Sequence, residues 1–481
     1  MTKEKERTYK GIASFDSGKG NTMEITFPKV RPALKFIANL RRLDNYKGEF
    51  GFDWMRDDYQ TICEDYEKLK KEYTPTKIHD KDYFVPWLSM FPQQENVKLK
   101  LEVEILEGTA TDVDIIKLPK KDGIRFEPEE VKVSEANEKE ISVFCDTSIS
   151  NDMNIKLFDK DDNPVGEINI FRNKTIHNLK VKIVKVVRKN SSERDLRGIN
   201  EALQQVDLNN YLNKNSLNQA LIKTSIENNN TNVIELDTEQ LTKDKKLDGA
   251  GFKDNVEQVS SMFLDEYMQK YEQESKHKGL LVFVTILRKP GTAGDGQLLI
   301  GDARNCSIFY DGRYQPTTYA HEIAHVLGCM HPFDEFNEEK INEINKRIQK
   351  YTDKIKIRED EILKDGEKIK RAEKRIIEMK KYPNNLTAIK NIKVNTNNIK
   401  VYQKNIENRE LSISKIKEFI NKDKKRKEQL THIKNENEYS FPIKDSTKEN
   451  FMDYTISRSA RISFWSWQWR TMQNDIKRYY E

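Results

Sequence analysis

Residues 321–331 read His-Glu-Ile-Ala-His-Val-Leu-Gly-Cys-Met-His. On a helix His321 and His325 lie one turn apart on the same side, where two neutral imidazoles can grip one zinc ion at about 2.0–2.1 Å. Glu322 sits beside them, positioned to take a proton from a water that the metal polarises. Gly328 lets the chain leave the helix through a conformation closed to most residues, which returns His331 as a third ligand. Three protein ligands leave one coordination position open, as a catalytic rather than a structural zinc site requires. Three of the seven histidines in the chain fall inside this motif. The competing readings are surface histidines on an ordinary helix, and a zinc site used only for binding.

Something must position these groups. Upstream of the motif, strand-like runs alternate with helical ones. Leu179–Val187, Asn232–Leu236, Gly279–Leu287 and Ser307–Tyr310 read as strands. Residues 192–205, 217–227 and 255–273 read as helices, so the segment is an α/β domain. The run Gly291–Gly296 has no Lys-Ser/Thr and is not a phosphate loop. It reads as the link from the strand at Gly279 to the upper rim of a cleft, where an edge strand can bind substrate backbone. Short alternating runs between about Asn96 and Arg172 suggest a small β-sandwich, immunoglobulin-like in its strand spacing. In residues 1–92 the pattern is mixed: Arg31–Leu43 reads as a short helix, Tyr46–Trp54 as a turn and strand, Asp58–Tyr73 as helical. The expected organisation is a multidomain α+β chain. It has an N-terminal mixed region (1–92), a β-sandwich (93–175) and an α/β catalytic domain (176–481) with a helical insertion (337–437).

That insertion carries the charge of the chain. The 481 residues hold 84 Lys+Arg against 79 Asp+Glu, a net +5. Residues 338–437 alone are +11 and the remainder −6, by count along the chain. Near-balanced charge excludes a uniformly basic nucleic-acid binder, and no nucleic-acid partner is expected. Isoleucine recurs every seven residues from Ile341 to Ile376, and again from Ile392 to Ile420, on either side of Tyr382-Pro383-Asn384-Asn385. Sustained heptads around a Pro-Asn turn make an antiparallel coiled-coil hairpin with arms of about 60 Å. Arg358, Asp365 and Arg409 interrupt its second seam and are candidates for fixing register. The charges either solvate the outer faces or form a surface for a macromolecular partner.

The three-histidine motif resembles the signature of the metzincin clan of zinc endopeptidases, which adds a later methionine turn beneath the metal. Asn450-Phe451-Met452-Asp453-Tyr454 matches that turn. The resemblance implies Met452 as the hydrophobic floor under the imidazoles. It implies that Tyr454 matches a tyrosine that in some members binds zinc at rest and then stabilises the oxyanion. A cleft-wall tyrosine is the alternative. The resemblance covers Leu179–Cys329, His331 and Lys448–Glu481, and it is specific to the clan, not to a subfamily. The helix before the strand at Gly279 is similar to adamalysin-like members, Pro332 to serralysins, and Asp453-Tyr454 to pappalysin-like ones, so no branch is chosen. Two features depart from the pattern: Pro332 and Asn450 stand 118 positions apart, and no calcium-binding Gly-Asp repeats follow.

The leading expectation is therefore a zinc-dependent endopeptidase with Glu322 as general base and a protein or peptide substrate. The alternative is an interaction protein that works through its hairpin and β-sandwich, with a secondary or inactive metal site. No run of about 18 apolar residues occurs, so no membrane span is expected. The N-terminus lacks the apolar region of a signal peptide, which leaves a cytoplasmic protein or one exported by a specialised route, such as a bacterial effector or toxin. Four cysteines make no disulfide framework. Cys63 reads as a buried thiol rather than an inhibitory zinc ligand. Asp159–Asn163 reads as a hairpin turn rather than a calcium loop, because Pro164 stands where glycine is required. Trp465, Trp469, Met472, Ile476 and Tyr479 share one helical face and read as the core of the lower cleft.

Overall fold

A computed structural model describes residues 33–480 apart from 64, 96, 250, 255, 257–258, 272–278, 297–304, 333–337, 437–446, 448 and 455–459. The roots of the hairpin and the ends of the expected helix 255–273 lie outside the described residues. The protein is mixed α+β, with several sheets and one long helical pair. Among the described residues no helix is long and apolar enough to cross a membrane. All four cysteines are buried and free.

The chain forms two compact units. One comprises the described residues up to Tyr46 together with those of Tyr73–Lys174, the other the described residues of Lys47–Glu72 together with those from Thr175 onward. This differs from the expected separation of 1–92 from 93–175. The segment read as a helix, Arg31–Leu43, instead contains a strand, Lys35–Arg42, paired antiparallel with Val97–Glu107. Phe36, Ala38 and Leu40 alternate into the core, a period of two that outweighs helix propensity once a partner strand is present. Glu140–Cys145 and Ile124–Glu127 complete this sheet. Within the same unit a second sheet orders Trp87–Ser89, Pro164–Ile170, Met153–Phe158, Ile115–Lys117 and Glu130–Lys132. Its first pair is parallel and the rest antiparallel. The Asp159 carboxylate accepts the amides of Asp161 and Asn163, closing the turn between two of these strands.

The other unit holds the motif, and its elements are labelled in chain order. Strand β1 (His177–Arg188) leads into α1 (Ser192–Val206), then β2 (Ile222–Glu227), β3 (Val233–Leu236), α2 (Val259–Lys270) and β4 (Leu280–Thr285). Next come β5 (Gly294–Gly296), β6 (Asn305–Ile308), α3 (Pro316–Val326), the long helices α4 (Glu338–Met379) and α5 (Leu386–Glu436), and α6 (Ser466–Tyr479). The sheet order is β2-β1-β4-β6-β5, and β3 extends the β2 side of β1. All pairs are parallel except β5 with β6. Every residue of β4 is buried, as a central parallel strand covered on both faces must be. The expected helix over 217–227 is instead a 3-10 turn, Leu217–Ala220, followed by β2. Leu221, at φ 56°, breaks any helix there.

Residues 47–72 belong with this unit because they cap α6. The Asp53 carboxylate accepts the Ser466 amide at 3.0 Å, meeting the positive end of the helix. The Tyr59 hydroxyl accepts the Trp465 indole N–H at 2.9 Å. Trp465, Trp469, Met472 and Ile476 are buried as the spacing suggested, whereas Tyr479 is exposed.

Helices α4 and α5 pair antiparallel. The Asn385 side chain caps α5 by accepting the amides of Thr387 and Ala388. Asp365 and Arg409, which interrupt the apolar seam, pair with each other, and Arg409 also donates to Glu361 at 2.9 Å. Further along, Arg347 donates to Asp423 through two bonds of 2.9 and 3.1 Å. Both pairs hold one register.

Candidate metal centre

Helix α3 begins with proline in its first turn and buries every residue from Thr317 to Val326. It ends as the glycine predicts. Gly328 has φ 89°; its amide bonds the His325 carbonyl, and the Cys329 amide bonds that of Ala324. These two bonds form a Schellman closure, which needs a left-handed residue at this position. A Cβ at Gly328 would also crowd Thr471 of α6 at 3.3 Å.

The returning chain brings His331 back to the other two histidines. The three Nε2 atoms form a triangle with sides of 3.0, 3.1 and 3.3 Å. Tetrahedral ligands 2.0–2.1 Å from a zinc ion stand about 3.3–3.4 Å apart, so the donor set fits such an ion closely. The tautomers are fixed from behind: His321 Nδ1 lies 2.6 Å from the Phe451 carbonyl, and His325 Nδ1 lies 2.8 Å from that of Cys329. Each Nδ1 donates its proton outward, which turns the Nε2 lone pair to the common centre. Burial, then the neighbouring His331 and His321 rings, hold the His325 pKa well below the usual histidine range. The imidazole is therefore neutral, the form that ligates. Among the described residues these three are the only His/Cys/Asp/Glu group that could hold a metal ion.

The turn carrying Phe451 is built by its own side chains. Asn450 accepts the Met452 amide at 2.8 Å and donates to Gln468 of α6 at 2.9 Å. Met452 is fully buried. The Tyr454 ring centroid stands 4.3 Å from that of His331 and 5.7 Å from that of His321.

A cavity of about 290 Å³ brings His321, Glu322 and Tyr454 together with Thr318 and Arg461. Its other wall is Gly291–Gly294, the segment that leads into the edge strand β5. On β5, Gly294 and Gly296 face α3: a Cβ on Gly294 would stand 2.5–2.7 Å from the Glu322 side chain. One on Gly296 would meet the Glu322 carbonyl at 2.7 Å and the His325 Cβ at 2.8 Å. Asp295 points the other way, accepting from Ser260 of α2 at 3.3 Å and pairing with Lys289 at 3.5 Å. The Gly-Asp-Gly alternation thus lays backbone directly against Glu322 while its one side chain anchors the strand from behind.

The centre therefore unites His321, His325 and His331, with Glu322 and Tyr454 lining one cavity beside them. The run Gly291–Gly296, read from the sequence as the link to the cleft rim, supplies the two glycines of β5, whereas nothing in the sequence points to Arg461. Arg461 belongs to no spacing motif; it is buried at 6% exposure. Its neighbour Ile462 is pinned through its carbonyl by Gln219 at 2.8 Å. Compared with known proteins, the chain matches no protein-family model and no curated protein.

Proposed function

We propose that the protein is a zinc-dependent endopeptidase of the metzincin type. The observation that carries this reading is the convergence of three imidazole Nε2 atoms, with the tautomers of His321 and His325 fixed, at the wall of a cavity that also contains Glu322 and Tyr454. Trigonal imidazole donation with no thiolate or carboxylate ligand suits zinc among the common metals. The antiparallel edge strand beside the ligand helix supports a metzincin-like fold for this unit. The alternating apolar faces of the other unit support an immunoglobulin-like sandwich.

A bound zinc supplies Lewis acidity, polarising a peptide carbonyl and making water nucleophilic near neutral pH. The protein does the rest. The backbone of β5 lies at the sheet edge and pairs with an extended peptide, placing its scissile bond over the cavity. The Glu322 carboxylate takes the proton of the attacking water and hands it to the leaving amine. Tyr454 donates a hydrogen bond to the carbonyl oxygen as that oxygen gains charge. Met452 supports the ligand rings from the turn below.

Metal analysis of the purified protein, joined to cleavage profiling on a peptide library, tests this. One zinc per chain is expected, with cleavage that a chelator abolishes and zinc restores. Absence of zinc from the protein, or cleavage indifferent to its removal, overturns the reading.

A further inference from the structure

The outer face of α5 carries a second apolar surface that the hairpin does not use. Its inner face, through Ala388, Ile392, Ile399 and Tyr402, packs on α4. At roughly 100° per residue, Leu386, Ile389, Val394 and Val401 fall on the opposite side, and all four are exposed. Leu386 is 83% exposed, and at the turn Tyr382 is 65% and Ile377 64% exposed. Lysines 390, 393, 400 and 404 share that side. From residue 379 to 406 the chain has six lysines and no Asp, Glu or Arg.

We infer that this hairpin tip and the outer face of α5 dock on an anionic phospholipid surface. Three features select that occupant. The surface is the flank of a two-helix rod turned away from the partner helix, with its side chains exposed, so it fits a flat partner. Between residues 379 and 406 its charge is all lysine, which attracts a diffuse negative surface; arginine, the residue suited to bidentate recognition of discrete carboxylates or phosphates, is absent from that stretch. Apolar and tyrosine side chains interleaved with lysines match a bilayer interface, where the chains enter the acyl boundary and the ammonium groups stay at the headgroups. A second copy meeting this face symmetrically would set lysine against lysine. The inference does not depend on the proposed peptidase activity.

Vesicle flotation of the full chain tests it, comparing phosphatidylcholine alone with a mixture containing about one-third phosphatidylserine. Binding to the mixture is expected to exceed binding to the neutral vesicles by about tenfold or more, and to weaken with salt. Leu386→Ser with Ile389→Ser, and separately glutamine at Lys380, Lys381, Lys390 and Lys393, should each abolish flotation. These positions are exposed, and circular dichroism should report unchanged helix. Because the native cysteines are buried, Leu386→Cys accepts an environment-sensitive fluorophore selectively. Its emission should rise and shift to the blue on anionic vesicles only. No flotation at low salt, equal flotation with neutral vesicles, or flotation insensitive to the Leu386/Ile389 change overturns the inference. So does concentration-dependent self-association that the same change removes, which would assign the face to a second copy.

Discussion

His321 Nδ1 lies 2.6 Å from the carbonyl oxygen of Phe451, a residue 130 positions further along the chain. A candidate ligand from one side of the inserted hairpin is thus oriented by backbone from the other. Asn450 holds that backbone by accepting the Met452 amide and donating to Gln468. Asn450→Ala should loosen the carbonyl and weaken metal affinity by about 10–100-fold, the usual effect of losing support behind a ligand. Competition with a chromogenic chelator measures this, and unchanged affinity would show that the turn does not need its asparagine.

Glu322 is no ligand in this geometry, so Glu322→Gln is expected to keep the metal and the fold. Peptide turnover should fall by about 10²–10⁴-fold, the range for a lost general base. Single-turnover cleavage with parallel metal analysis separates this from loss of the site.

The glycines of β5 make a sharper test. Gly294→Ala puts a methyl within 2.7 Å of the Glu322 side chain, which can rotate aside. Gly296→Ala meets the Glu322 carbonyl and the His325 Cβ, which cannot. Overpacking of this kind costs about 1–3 kcal/mol. Gly294→Ala should therefore lower activity more than thermal stability, and Gly296→Ala should lower both. Thermal denaturation and peptide kinetics on the two variants check the order.

On the proposed role, in which its hydrogen bond forms only as charge develops, Tyr454→Phe should reduce kcat by about tenfold or more with little change in KM. Arg461→Ala should raise KM and leave metal content intact, since the side chain lines the cavity without joining the ligands. Steady-state kinetics on both variants distinguishes the two effects.

The Asp365 carboxyl is held below the usual aspartate range, first by Lys368 and then by Arg409, against the opposing effect of its burial. A depressed folded-state pKa contributes stability that is complete above the unfolded value of about 3.9 and is lost as pH falls through the folded one. The hairpin should therefore weaken in acid below about pH 4, and Asp365→Asn should lower its melting temperature at neutral pH while flattening that acid dependence. Helicity followed by circular dichroism across pH checks both.

The site was legible where chemistry fixes spacing. His321, His325 and His331 must stand at set intervals, with Gly328 turning the chain between them, for three rings to meet where they could hold one ion, and the heptads must recur to keep a seam. What sequence left unread depends on partners distant in the chain. Lys35–Arg42 has apolar residues at both helical and alternating intervals, and only its pairing with Val97–Glu107 decides between them. Residues 222–227 became a strand because β1 offered a parallel edge and Leu221 turned the chain. Arg461 enters the cavity through the path of the segment before α6, which no local pattern announces.

The hairpin also divides the centre. A break at residues 382–385 would leave His321, Glu322, His325 and His331 on a fragment ending in α4. Phe451, Met452, Tyr454 and α6 would remain on a fragment beginning with α5. Neither piece holds a complete centre, yet the Arg347–Asp423 and Arg409–Asp365 pairs each take one residue from either piece. Reassembly in the native alignment would then be specified by the helices together with the contacts of Asp53 with Ser466 and Gln219 with Ile462, which also cross the break. Activity would become second-order, rising with fragment concentration, and the protein would lend itself to complementation between two separately made halves.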